Sequence, residues 1–241
     1  MALWLTRLPT ERLKRAGAAP SENRPLALYA KSGNAFALSA VDACAAKAGL
    51  RAGMALADAR AMQPSLAAFE ADEAADLALL KQIAIWCERF TPIVAVDAPD
   101  GLFLDISGCA HLFGGEAELM RDMAARLFRQ GLSARLSAAD TAGCAWAVAR
   151  YGHPLLVPQG GAASALERLP LSALRIDDET VIALGQAGLK RICDVTGRPR
   201  APLAARFGQH LLRRLDQALG REEESIVPRL PVASCTAERR F

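Results

Sequence analysis

Residues 96–108 read VDAPDGLFLDISG, and the reading of this stretch decides the reading of the chain. Asp97 and Asp100 sit between two apolar runs, PIVAV before and LFLDI after, and Asp105 lies within the second run. The runs predict two short strands. Ala98-Pro99-Asp100-Gly101 predicts their turn, because proline presets φ, aspartate bonds nearby backbone and glycine accepts positive φ. Clustered carboxylates on such a hairpin can hold Mg²⁺ for phosphoryl or nucleotidyl transfer. They serve equally well as turn and cap residues, with Asp105 placed to cap the turn at Ser107-Gly108.

Working outward, the hairpin is flanked by helices. Asp72–Phe90 repeats Leu77, Leu80, Ala84 and Cys87 at helical spacing, and Glu116–Gln130 repeats Leu119, Met123 and Leu127 ahead of Gly131, its expected C-cap. Strands are expected at 2–5, 26–30, 35–41, 133–139 and 153–158, with KSGN turning 26–30 into 35–41 after a loop at 16–25. Residues 10–15, 141–151 and an Ala-rich stretch at 42–63, interrupted at 49–53, read as helices. Beyond Gly160-Gly161 only short helices follow, at 162–171, 178–187, 188–195 and 201–219. The pattern is α+β, a ferredoxin-like sheet with helices, followed by an all-helical part.

Composition bounds the function. The 241 residues are 52% hydrophobic and 23% charged, which fits a folded chain of two or three modest domains. No apolar run reaches membrane-spanning length, and the start is too short in apolar residues for a signal peptide, which points to the cytosol. Cysteines at 44, 87, 109, 144, 193 and 235 form no CxxC pair, and His111 and His153 lack a second ligand at useful spacing, so no metal site is expected. Trp86 and Trp146 read as core residues on helices. Net charge is only +3, but eight Lys/Arg against two Asp fall between Leu189 and Arg221.

Three stretches in order resemble the Y-family (UmuC-like) DNA polymerases: KAGLRAGMALADARAMQPSL at 47–66, ERFTPIVAVDAPDGLFLDISG at 88–108, and LPLSALRIDDETVIALGQAGLKRICDV at 169–195 followed by RFGQHLLRRLDQALGRE at 206–222. The resemblance implies a palm at 1–9 and 70–160, small fingers at 10–69, and a helical thumb with a degenerate helix-hairpin-helix at 161–221. It also implies a linker at 222–241 toward a C-terminal region, and it leaves the little finger outside this chain.

It further implies which residues the chemistry has lost. The first family carboxylate falls at Trp4 or Leu5. The adjacent Asp-Glu pair falls on Asp100 and Gly101, so Asp100 is the one inherited carboxylate, with Asp97 three residues before it. The Tyr and Arg that grip the triphosphate fall on Ala43 and Ala46, with Lys47 one position off. Nucleotidyl transfer needs about three converging carboxylates. The pattern therefore resembles the catalytically inactive ImuB-type branch, to which LTRLPTERL at 5–13 and DGLFLDISGCAHLFGGE at 100–116 also point. That resemblance implies an adaptor without cofactor in error-prone translesion synthesis, nucleoid-associated when active. Its implied partners are an error-prone C-family polymerase, a RecA-like accessory protein and the sliding clamp, engaged mostly through C-terminal regions. An active polymerase with a rearranged metal site and a DNA-positioning module are the alternatives. In the thumb, Arg175-Ile176-Asp177-Asp178-Glu179 replaces a glycine hairpin that would contact phosphate, and Asp178 reads as a helix N-cap. Arg206, His210, Arg213 and Gln217 share one face of the last expected helix, opposite Phe207, Leu211, Leu212, Leu215 and Leu219, and form the candidate DNA contact.

Overall fold

The computed structural model describes residues 1–19, 24–153 and 155–229. Residues 20–23 of the expected loop, Pro154 of the expected strand 153–158, and residues 230–241 of the expected linker, Cys235 included, lie outside them. β1 (Ala2–Leu5) leads into α1 (Leu8–Arg15). A small sheet follows, built from β2 (Leu26–Ser32), β3 (Ala35–Val41) and β4 (Ala67–Glu70) in the order β3-β2-β4, with α2 (Ala43–Lys47) and α3 (Leu56–Met62) packed on it. The chain then returns through α4 (Glu73–Cys87), β5 (Val94–Asp97), β6 (Gly101–Leu104), α5 (Glu116–Arg129) and β7 (Ala134–Ser137). These strands close around β1 in the order β5-β6-β1-β7, antiparallel throughout.

Strand alternation sets the two faces of this larger sheet. Leu3 and Leu5 of β1, Val94 of β5, Leu102 and Leu104 of β6 and Leu136 of β7 join Leu80, Ala84, Leu119 and Met123 of α4 and α5 in the main core. The opposite residues, Ala2, Ala95 and Phe103, meet Ala145 and Ala149 of α6 (Ala142–Tyr151), with Trp4 and Trp146 at the margin. Small residues on both sides let α6 lie close to the sheet, and α6 thereby covers the face that the hairpin turn overhangs.

The remaining helices are α7 (Ala162–Leu166), α8 (Asp178–Gln186), α9 (Cys193–Thr196), α10 (Arg200–Phe207) and α11 (Gln209–Leu219). They share a separate core that includes Leu166, Leu184, Leu203, Leu211 and Leu215, and it continues into Cys144 and Val148 of α6. Burial in that core pushes the Cys144 thiol up to about 12, and the same cause acts on Cys87 under the larger sheet. The α6–α11 crossing is tight. Thr141 caps α6 by accepting from the Cys144 N–H and donates its own hydroxyl to the Ala218 carbonyl at 2.8 Å. A Cβ on Gly143 would lie 2.9 Å from the Cα of Ala218. Because that obstacle is backbone, Gly143→Ala is expected to cost about 1–3 kcal/mol by overpacking, read as a lower thermal midpoint. An unchanged midpoint would show that the two helices separate freely.

Several sequence expectations are corrected here. β4 was missed, because AAFE lacks alternation and pairs in parallel with β2. Among the described residues of the expected strand at 153–158, the sheet pairing is a single bridge from Leu156 to Ala138. Of the helix expected at 188–195, only Cys193–Thr196 forms, and the helix expected at 162–171 ends at Leu166. The helix expected over 201–219 is broken at Gly208, whose φ of +85° ends α10 and starts α11. Asp177, not Asp178, caps α8, accepting from the Thr180 N–H at 2.7 Å.

Candidate functional site

Three elements bring their side chains to one place. β1 supplies Trp4, which stands opposite Gly101 in the strand register. The β5–β6 hairpin supplies Asp97 and Asp100, and α6 supplies Trp146 and Arg150, four residues apart on one helix face. The Trp4 indole N–H donates to Asp100 Oδ2 at 2.8 Å, and the Trp146 indole N–H donates to Asp97 Oδ2 at 2.7 Å. Arg150 Nη2 donates to Asp100 Oδ1 at 2.7 Å and lies 3.6 Å from Asp97 Oδ2. Its guanidinium carbon sits 4.1 Å from the Trp146 ring centroid and 5.5 Å from that of Trp4.

Two carboxylates, two indoles and one guanidinium form a lattice here, within which Arg150 Nη1 is buried without a hydrogen-bond partner among the described residues. Arg150 is 11% exposed, so its pairing operates away from bulk water. Both oxygens of Asp100 already accept hydrogen bonds, and Asp97 Oδ2 serves an indole and faces the guanidinium. A cation of the hard, oxygen-seeking kind would compete with Arg150 for the oxygens of Asp100. Among the described residues, no group of three His, Cys, Asp or Glu is placed to hold a metal ion.

Two details of the hairpin differ from its sequence reading. Asp100 bonds Trp4 and Arg150, so its carboxylate ties the hairpin to β1 and α6. Gly101 is not among the residues of positive φ. It is needed for space: a Cβ there would lie 2.8 Å from Asp97 Oδ2 and 3.1 Å from Arg150 Nη2. Leu5, the other candidate for a lost ligand position, points into the main core, so Trp4 alone occupies the site face. Asp105 stands apart and accepts from the Ser107 N–H at 3.0 Å. That bond and the Ser107 side chain hold its carboxyl below the usual range.

Ala43 and Ala46 are exposed on α2 and offer only methyl groups. The polar group at that end is Asp42, which accepts from the Ala45 and Leu26 N–H groups and pairs with Lys14. Burial alone would raise its pKa, but these partners hold it below the usual range. Of the proposed DNA face, Arg206 lies on α10, while His210 and Arg213 lie on α11, so the three do not share one helix. Arg213 pairs with Glu222 at 3.2 Å, and neighbouring Arg200 pairs with Asp216. Arg175, which opens the stretch read as replacing a phosphate-contacting glycine hairpin, is turned inward to Glu224, while Asp177, Asp178 and Glu179 stay exposed.

Arg150 and Trp146 are the residues that sequence reasoning missed as site members. Trp146 was read as core, yet its N–H is bonded to a carboxylate. The available signal was an Arg four residues after a Trp on the helix that follows β7.

Comparison with known proteins supports the architecture. The chain is 47% identical over 186 residues to the protein ImuB of two Caulobacter vibrioides strains. The match covers 77% of this chain and 41% of those relatives, so the chain spans well under half of their length. Among solved structures, DinB from Sulfolobus solfataricus matches over 93% of this chain and 68% of its own, with a TM-score of 0.73 and 18% identity. The insertion ternary complex of Dbh DNA polymerase matches with a TM-score of 0.77 at 17% identity over the same shares. At such identities these structures speak for the fold: an α+β arrangement of the Y-family polymerase type. The model of the IMS family, described as impB/mucB/samB, matches residues 15–150, more than half of the chain and the whole β5–β6 hairpin, and the chain therefore belongs to that family.

Proposed function

We propose that this chain is a non-catalytic, Y-family polymerase-like module that acts as an adaptor in damage-induced, error-prone translesion synthesis. One observation carries the reading. Arg150 and the indoles of Trp4 and Trp146 engage both oxygens of Asp100 and Oδ2 of Asp97, at a place where Trp4 faces Gly101. Two-metal nucleotidyl transfer needs carboxylates free to clamp both ions, and this lattice leaves them committed to protein donors. The sheet, the hairpin and the helical part persist as a scaffold. The partners implied for such an adaptor, an error-prone C-family polymerase, a RecA-like protein and the sliding clamp, would engage it largely beyond this chain. Cytoplasmic, nucleoid-associated action belongs to the same proposal. Contact with DNA, if this module makes it, falls to Arg206 and His210, which are exposed, more than to Arg213, which Glu222 partly neutralises.

Primer extension tests the reading. The chain is expected to show no template-dependent incorporation with Mg²⁺ or Mn²⁺ above a no-protein control. Incorporation that Asp100→Ala abolishes would overturn it in favour of an active polymerase.

A further inference from the structure

Residues 222–229 leave α11 and run back over the sheet face that α6 partly covers. Glu224 anchors them. Both of its carboxylate oxygens lie 2.5 Å from Arg175 Nη2, and Oε1 also accepts from Arg214 Nη1 at 2.9 Å. The side chains of Glu224, Arg175 and Arg214 are only 15%, 15% and 14% exposed. Arg175 comes from the bend before α8, at a φ of +56°. Arg214 comes from α11 and is held by the Leu174 carbonyl and the Gln217 amide oxygen. Further along, Ile226 packs against the Ala95 and Phe103 face, and the Arg229 N–H donates to the Val94 carbonyl at 2.8 Å. The segment is a strap from the helical part to the β5 edge.

Two guanidiniums converge on one carboxylate in a poorly solvated place, and the other negative charge that acts on Arg175 is Asp97 of the site. Burial, then the neighbouring Arg214, lowers the pKa of Arg175, and Glu224 works in the opposite direction. A carboxylate fills such a fork with one charge and two acceptors. A phosphodiester presents the same single charge and two free oxygens as a carboxylate, a phosphate monoester adds a third oxygen and more charge, and guanidinium forks match either in a bidentate manner.

We propose that Arg175 and Arg214 form a binding fork for a phosphate group, which Glu224 occupies as a built-in plug, so that residues 222–229 close the sheet face until a phosphate displaces them. Strap departure would carry Glu222, Glu223 and Glu224 away together. Arg150, Arg175 and Arg214 would then face Asp97 and Asp100, and a face screened by glutamates becomes one that tolerates a polyanion. The fork also touches the lattice: the Trp146 ring lies 5.7 Å from the Arg175 guanidinium and 4.1 Å from that of Arg150. The phosphate could belong to a nucleic-acid backbone or to a free nucleotide, and the two sources are separable. The inference stands on the fork and not on the adaptor reading, since it concerns binding and not synthesis.

The test is fluorescence anisotropy with a labelled single-stranded oligonucleotide at low and moderate salt, alongside amide exchange over residues 222–229. Glu224→Ala is expected to speed exchange across the strap and to tighten oligonucleotide binding at least about fivefold, with a steeper salt dependence. The gain should vanish in Arg214→Gln/Glu224→Ala. Competition by a deoxynucleoside triphosphate or inorganic phosphate assigns the fork to free phosphates, and its absence assigns it to the nucleic-acid backbone. If Glu224→Ala melts below the assay temperature, Glu224→Gln, which drops the charge and keeps the side chain, carries the same test. Faster strap exchange with unchanged affinity would overturn the phosphate fork, and unchanged exchange would overturn the plug.

Discussion

Arg150→Ala is expected to lower stability by about 3–5 kcal/mol, because it leaves two partly buried carboxylates beside each other with no guanidinium bonded to them. Asp97 and Asp100 are 23% and 31% exposed, so water cannot fully take the place of the guanidinium. The substitution also removes the guanidinium over the Trp4 ring and the nearer of the two over Trp146, which keeps Arg175 at 5.7 Å. For a chain of this size the loss corresponds to a fall of about 10 °C in the thermal midpoint. Arg150→Lys keeps the charge but not the planar fork, and is expected to recover part of the loss. Thermal and urea denaturation followed by circular dichroism measure both variants. A change under about 1 kcal/mol for Arg150→Ala would mean that the carboxylates are held by something other than this residue.

Gly101→Glu is the second large effect, and its direction runs against a simple restoration argument. It returns the carboxylate that the family resemblance places there. The new Cβ, however, meets Asp97 Oδ2 at 2.8 Å and both Arg150 Nη2 and the Asp97 carbonyl at 3.1 Å. A third carboxylate would also share a single guanidinium. Steric displacement and like-charge repulsion together are expected to cost about 2–4 kcal/mol, with no gain of nucleotide incorporation. Melting of the variant and primer extension by it check the two halves separately. A variant as stable as the parent would show that the Gly101 pocket has room for a ligand.

Much of this architecture is legible in the sequence because it rests on local chemistry. Leu3 and Leu5 alternate with Ala2 and Trp4, the β5–β6 turn is marked by Pro99, and α4 and α5 repeat their apolar residues at helical spacing. What was not legible depends on pairing over long separations. β4 exists because β2 offers it a parallel edge, and nothing in AAFE announces that. The break at Gly208 is hidden by an amphipathic pattern that runs unbroken through two helices. The site shows the same division. Asp100 and Gly101 could be placed by resemblance, but their physical roles could not. The carboxylate looked like a turn residue until Trp4, 96 positions away, and Arg150, 50 positions away, were seen to use it. Gly101 looked like a φ requirement and is a space requirement. Glu222–Arg229 read as linker because its composition is acidic and polar, and only the positions of Arg175 and Arg214 reveal Glu224 as an anchor.

The central claim is that both oxygens of Asp100 and Oδ2 of Asp97 are engaged by protein donors, so that the pair does not serve as a clamp for catalytic metal ions. Mn²⁺ binding, followed by electron paramagnetic resonance in the presence of a deoxynucleoside triphosphate and primer–template DNA, tests it most directly. The protein and its Asp97→Asn/Asp100→Asn variant are predicted to bind the same amount of Mn²⁺. A protein-bound Mn²⁺ signal that this double substitution removes would contradict the account.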